Sequence, residues 1–73
     1  MLSEVDAVGG WSFHENGTLT KRKFRRELAV WQDGTFYHFQ VDSAARVLKM
    51  GRRSTLSAAK QAAEKAARPT EPA

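Results

Sequence analysis

Residues 23–42, KFRRELAVWQDGTFYHFQVD, hold two apolar runs on either side of Asp33-Gly34. Asp-Gly between alternating hydrophobic residues is the strongest short-range signal for a β-hairpin, because a type I′ turn needs φ > 0 at both central positions. With Asp33 and Gly34 as the loop, Gln32 faces Thr35, Trp31 faces Phe36 and Val30 faces Tyr37. Facing residues share a side of the sheet. One side then carries Phe24, Leu28, Val30, Tyr37, Phe39 and Val41. The other carries Lys23, Arg25, Glu27, Trp31, Phe36, His38 and Gln40. A slip of one residue sets Leu28 against His38 and Glu27 against Phe39 and destroys this segregation. The stretch therefore predicts a sheet with one greasy face and one face of basic, aromatic and polar groups.

Upstream, Trp11-Ser12-Phe13-His14 alternates like a strand, and Asn16-Gly17 is a second turn signal. That turn sets Phe13 opposite Thr20 and Trp11 opposite Arg22, with both aromatic residues on the greasy side. The next strand then runs from Thr18 to Gln32. Strands of that length are uncommon, so a bend or bulge is expected near residues 21–23. Residues 1–10 are small and polar with a Gly9-Gly10 breaker, and read as a flexible arm.

Downstream, Ser43-Ala44-Ala45 reads as a turn and Arg46 to Met50 as a fourth strand, ended by Gly51. This sets Leu48 opposite Phe39 and Met50 opposite Tyr37 in the core, with Val47 and Lys49 outside. Ser54 or Thr55 can cap a helix over TLSAAKQAAEKAAR, residues 55–68, where alanine is the best helix former. Leu56, Ala59, Ala63 and Ala66 make a thin apolar stripe that lets the helix lie close to the sheet. Pro69 stops it, and residues 69–73 read as a disordered tail. The expected fold class is α+β: an antiparallel three- to four-stranded meander with one C-terminal α-helix packed on one face, a single ββββα domain over residues 11–68. Its core is Trp11, Phe13, Phe24, Leu28, Val30, Tyr37, Phe39, Val41, Leu48, Met50, Leu56, Ala59 and Ala63.

The 73 residues suit one small domain, near the size at which a single core is marginal. Met1 suggests a complete reading frame. There is no cysteine, which removes disulfides and cysteine-based metal sites and points to the cytoplasm. No apolar run approaches the roughly 20 residues of a membrane span, and the N-terminus lacks the basic start and apolar centre of a signal peptide. The net charge of +4 is concentrated in the middle of the chain. Such a basic centre favours nucleic acid, an acidic protein or an anionic surface.

Catalysis has little support. His14 and His38 have no partnered nucleophile and carboxylate in a recognisable motif, and there is no phosphate-binding loop and no HExxH. No enzyme activity, cofactor or metal is expected. The clearest candidate is the run from Lys21 to Arg26, KRKFRR. In one continuous strand, Lys21, Lys23 and Arg25 go to the outer face and Arg22 and Arg26 to the helix side. The outer group joins Lys49, Gln40, His38, Trp31 and Phe36. Cations there would meet phosphates, and the aromatic rings would stack on bases. The competing structural reading makes Arg25 a cross-strand partner of Asp42, and Trp31 and Phe36 a pair beside the turn. Arg46, Lys49, Arg52 and Arg53 form a second basic set leading into the helix N-terminus, which favours anions.

The strand order, basic outer face and C-terminal helix resemble the small sheet-plus-helix DNA-binding domains at the N-terminus of tyrosine integrases and in AP2-type domains. The resemblance spans residues 11–67 and implies a sheet that enters the major groove. The matching positions are Lys23, Arg25, Trp31, His38 and Lys49. The segment GRRSTLSAAKQAAEKAA, residues 51–67, is similar to the end of a double-stranded RNA-binding domain. However, Thr55-Leu56 stands where that family has a lysine pair, and its first helix has no counterpart. Size and composition are also similar to small phage proteins, including regulators and anti-CRISPR inhibitors.

Two functions follow as expectations. One is a nucleic-acid-binding module for duplex DNA, using the outer sheet face. The other is a phage- or mobile-element-encoded protein-interaction factor. It would bind an acidic or nucleic-acid-handling protein complex, or a second copy of the chain as a homodimer, through the same face. In both, the contact residues are Lys21, Lys23, Arg25, Trp31, Phe36, His38, Gln40, Lys49, Arg52 and Arg53, with no membrane involved.

Overall fold

The computed structural model describes residues 2–43 and 46–68. The tail at 69–73 and the Ala44-Ala45 turn lie outside the described residues. The fold is α+β, an antiparallel sheet with one helix packed on it. The sheet has five strands in the order β1-β2-β3-β4-β5, one more than expected. They are β1 (Ser12–Phe13), β2 (Leu19–Lys23), β3 (Arg26–Asp33), β4 (Phe36–Ser43) and β5 (Arg46–Arg53). The helix α1 (Leu56–Ala67) follows, with the Thr55 hydroxyl accepting from the Ala58 N–H at 3.2 Å as its N-cap.

The extra strand comes from a tight turn at Phe24-Arg25. The long strand expected over residues 18–32 neither bends nor bulges but folds back on itself, pairing Lys23 with Arg26 and Lys21 with Leu28. Phe24 and Arg25 both have positive φ, 54° and 62°, as a type I′ turn demands. The reversal resets the alternation upstream of it. Leu19, Lys21 and Lys23 lie on the helix side, opposite Val30, Leu28 and Arg26, while Arg22 lies on the outer side opposite Glu27. Leu19 is wholly buried.

In the β3–β4 hairpin the loop is Gly34-Thr35, and Asp33 stays in the strand opposite Phe36. Gly34 alone has positive φ, 65°, the type II′ pattern with glycine first. Val30 therefore faces Phe39 rather than Tyr37. An offset of two residues preserves the sides of the sheet, so Leu28, Val30, Phe39 and Val41 are buried as expected. The β1–β2 pairing is offset by one residue, an odd number, which exchanges the sides that the β2 residues take relative to Phe13. Phe13 pairs with Leu19 rather than Thr20, around a three-residue loop that closes with Gly17 at φ 86°.

The β4–β5 pairing departs by an odd number, and its sides invert. Gly51, not Leu48, faces Phe39, and the strand runs on through Gly51 to Arg53. Met50 is consequently outside and 59% exposed, while Lys49 sits on the helix side opposite Val41. A bulge at Leu48 separates the Val41–Lys49 pair from the Asp42–Val47 pair and leaves Leu48 exposed. Gly51 is needed where it stands: a β-carbon there would lie 2.7 Å from Cζ of Phe39.

The core lies between the sheet and α1. Phe39, Leu19, Leu28, Val30 and Val41 are fully buried, against Ala59, Ala63 and Ala67 of the helix. Each large side chain contributes about 1.5–3 kcal/mol on burial. Phe24, Leu48 and Met50 do not join them. Residues 2–10, read as an arm, pack on the domain. Leu2 is buried, Lys21 donates to the Gly9 carbonyl at 2.7 Å, and Lys60 donates to the Asp6 carbonyl. Both lysine ammoniums lie 5.9 Å from the Trp11 ring.

Candidate nucleic-acid interface

The ten candidate residues separate into four places. Lys21 and Lys23 are not on the outer face. Both reach under it to Glu64 of α1, at 2.8 and 3.2 Å, and tie the helix to β2. The hydrogen bond from Lys21 holds the Glu64 carboxyl below its ordinary range, partly opposed by burial and helped by Lys23. Arg25 is exposed at the β2–β3 turn. It does not face Asp42, whose partner is Glu27.

Trp31, Phe36, His38 and Gln40 do share the outer face, and Arg52 joins them. The alternation in β3 and β4 carries them there, and His38 pairs with both Trp31 and Arg52 in one row across three strands. Trp31 and His38 stack with centroids 5.7 Å apart and planes at 13°. The Arg52 guanidinium lies 4.6 Å from the Phe36 ring. Gln40 donates to the Asp42 carboxylate at 2.9 Å. This face is not basic, however. Besides Arg22 and Arg52 it holds Glu27, Asp33 and Asp42, and Glu27 lies directly opposite Asp42. Phosphate would be repelled there.

The cations gather instead along β5 and the adjoining flank of α1. Lys49 and Arg53 turn to the helix side opposite Val41 and Tyr37. With Lys65 they rim a groove of about 400 Å³ whose floor is Phe39, Leu48, Ala62 and Ala66. No carboxylate lines it among the described residues. The Arg53 guanidinium is set 5.2 Å from the Phe39 ring and donates to the Arg52 carbonyl at 2.7 Å. Arg46 and Arg52 are exposed on the same strand. β5 forms one edge of the sheet, so among the described residues one row of its N–H and C=O groups lacks a strand partner.

Sequence reasoning missed Lys65, because nothing in a helix of alternating charges marks which lysine borders an edge strand. It also placed Lys49 on the wrong side, since the bulge at Leu48 has no sequence signature. The positions that carry the resemblance to integrase and AP2-type domains divide accordingly. Trp31 and His38 are outside, Lys23 and Lys49 are on the helix side, and Arg25 is in a turn. Among the described residues no helix is long and apolar enough to cross a membrane, and no group of three or more acidic or histidine side chains could hold a metal ion. No family model, curated protein or solved structure matches this chain.

Proposed function

We propose that the protein is a nucleic-acid-binding module of the cytoplasm, without catalytic activity, that takes the phosphate backbone of duplex DNA along β5. The observation that carries this reading is the carboxylate-free groove between β5 and α1, rimmed by Lys49, Arg53 and Lys65, with Arg46 exposed at the start of the same strand and Arg52 on its outer face. Cations in such an array displace condensed counterions from DNA, a gain that scales with the number of phosphates met. The outer face next to β5 supplies the flat stacked pairs Trp31–His38 and Phe36–Arg52, which suit contact with sugars and base edges. The acidic pair Glu27–Asp42 lies toward the other end of that face, where Asp42 adjoins Val47 of β5.

The test is a fluorescence anisotropy titration of the intact protein with short duplex DNA at several salt concentrations. About five phosphate contacts predict a slope of log K against log salt near −4 to −5. Lys49→Ala and Lys65→Ala, both exposed, should each weaken binding across all sequences and reduce the slope by about one, with unchanged stability. Absence of salt-dependent affinity for any DNA or RNA near physiological ionic strength overturns the reading. The exposed Val47, Leu48 and Met50 on an unpaired edge favour a second reading, in which β5 adds a strand from an acidic protein partner. In that case the same variants would lose the protein partner and not DNA.

A further inference from the structure

The Phe24-Arg25 turn is the one tight turn of the sheet, among the described residues, that reverses the chain without glycine. The β1–β2 and β3–β4 connections use Gly17 and Gly34 at positive φ. Here a phenylalanine and an arginine hold φ of 54° and 62°, where the type I′ turn strongly prefers Asn-Gly or Asp-Gly. A bulky residue with positive φ is an outlier that persists only where its surroundings impose it, and such outliers cluster at functional sites. The pairing of Lys23 with Arg26 and the two lysine contacts to Glu64 impose it here.

The side chains presented by this turn are unusual in kind. Phe24 is 44% exposed, and its ring meets the Lys23 ammonium at 5.3 Å. Arg25 beside it is exposed, as is Arg22. β3 starts and β4 finishes at this end of the sheet, and β5 begins there with exposed Arg46. A narrow tip carrying one aromatic ring beside Arg22 and Arg25 therefore lies at the end of the sheet where the cationic strand starts, with the Glu27–Asp42 pair next to it on the outer face.

Resting on the proposed function, we infer that Phe24 is a base-stacking wedge. Its ring enters an interrupted or easily unstacked step of a duplex, with Arg25 against the adjoining groove. An apolar side chain inserted between base steps, flanked by cations, is a general way of gripping deformable nucleic acid. The strained turn holds the ring outward before binding, so little ordering is left to do at contact.

The experiment compares the intact wild-type protein with Phe24→Asn and Phe24→Trp. The probes are a fully paired labelled duplex and the same duplex with one unpaired nucleotide. Phe24→Asn keeps every cation and suits a left-handed turn. The wild type should favour the interrupted duplex by roughly tenfold, within the range of one base–aromatic stack. Phe24→Asn should lose that preference while its salt slope stays unchanged and its melting temperature is equal or higher, and Phe24→Trp should retain the preference. Equal preference in wild type and Phe24→Asn overturns the wedge while leaving β5 binding intact. A lower melting temperature in Phe24→Asn also overturns it, because the ring would then be structural. If the wild type binds neither duplex, the proposed function and the wedge both fall.

Discussion

Phe39 shows how much one side chain organises. It is 1% exposed, its ring occupies the space a β-carbon of Gly51 would take, and the Arg53 guanidinium lies 5.2 Å from the ring. Gly51 does not have positive φ, so its role is steric room and not backbone freedom. Gly51→Ala should therefore destabilise the protein by about 1–3 kcal/mol, the usual cost of overpacking a filled site. Urea denaturation measures this, and a change of a few tenths would mean that the ring has space to move. Phe24 and Arg25 are the opposite case, residues whose left-handed conformation costs of order 1–2 kcal/mol each.

At the scale of elements, the joint between β2 and α1 is a three-membered ionic contact. Lys21 and Lys23 both reach the partly buried Glu64 carboxylate from the sheet. At the far end of the helix, Arg26 donates to the Ala67 carbonyl at 2.5 Å, a cation at the negative end of the helix dipole. Because Glu64 is held below its ordinary carboxyl value, the unfolded chain binds the proton more readily than the folded one. The stability it contributes is complete above the unfolded value, near 4.3, and is lost as pH falls through the lower folded value. Glu64→Gln should thus flatten the fall in stability on acidification below about pH 5, seen by denaturation at a series of pH values. An acid limb identical to wild type would show that the lysines do not prefer the carboxylate.

Over the whole molecule, the hydrophobic core is thin on the helix side, where alanines meet the sheet, and the segment at residues 2–10 completes it. Leu2 is 5% exposed and Trp11 likewise, and Lys60 and Lys21 bind backbone carbonyls of that segment. Leu2→Ala should cost about 2 kcal/mol or more, as for other buried leucines. A denaturation midpoint unchanged from wild type would mean that the segment hangs free of the domain. The charge is also arranged at this scale. Outer-face cations are offset by Glu27, Asp33 and Asp42, while β5 keeps its cations without a carboxylate on the strand.

The division of β3 and β4 into an apolar and a polar side was legible from residues 26–43, because alternation survives any even offset of the hairpin. The helix and its Thr55 cap were legible too, since alanine content and cap chemistry are local. What the sequence could not determine is where alternation restarts. Nothing in Phe24-Arg25 announces a turn, and no composition rule marks Leu48 as the bulged residue. Those two places decide the side taken by Lys21, Lys23, Lys49 and Met50. They depend on non-local pairing, in which Leu19 gains burial opposite Val30 and Phe39 finds room over Gly51. Local propensity settled which segments became strands and helix. Only the packing of the sheet beneath α1 settled which cations bind Glu64 and which remain open along β5.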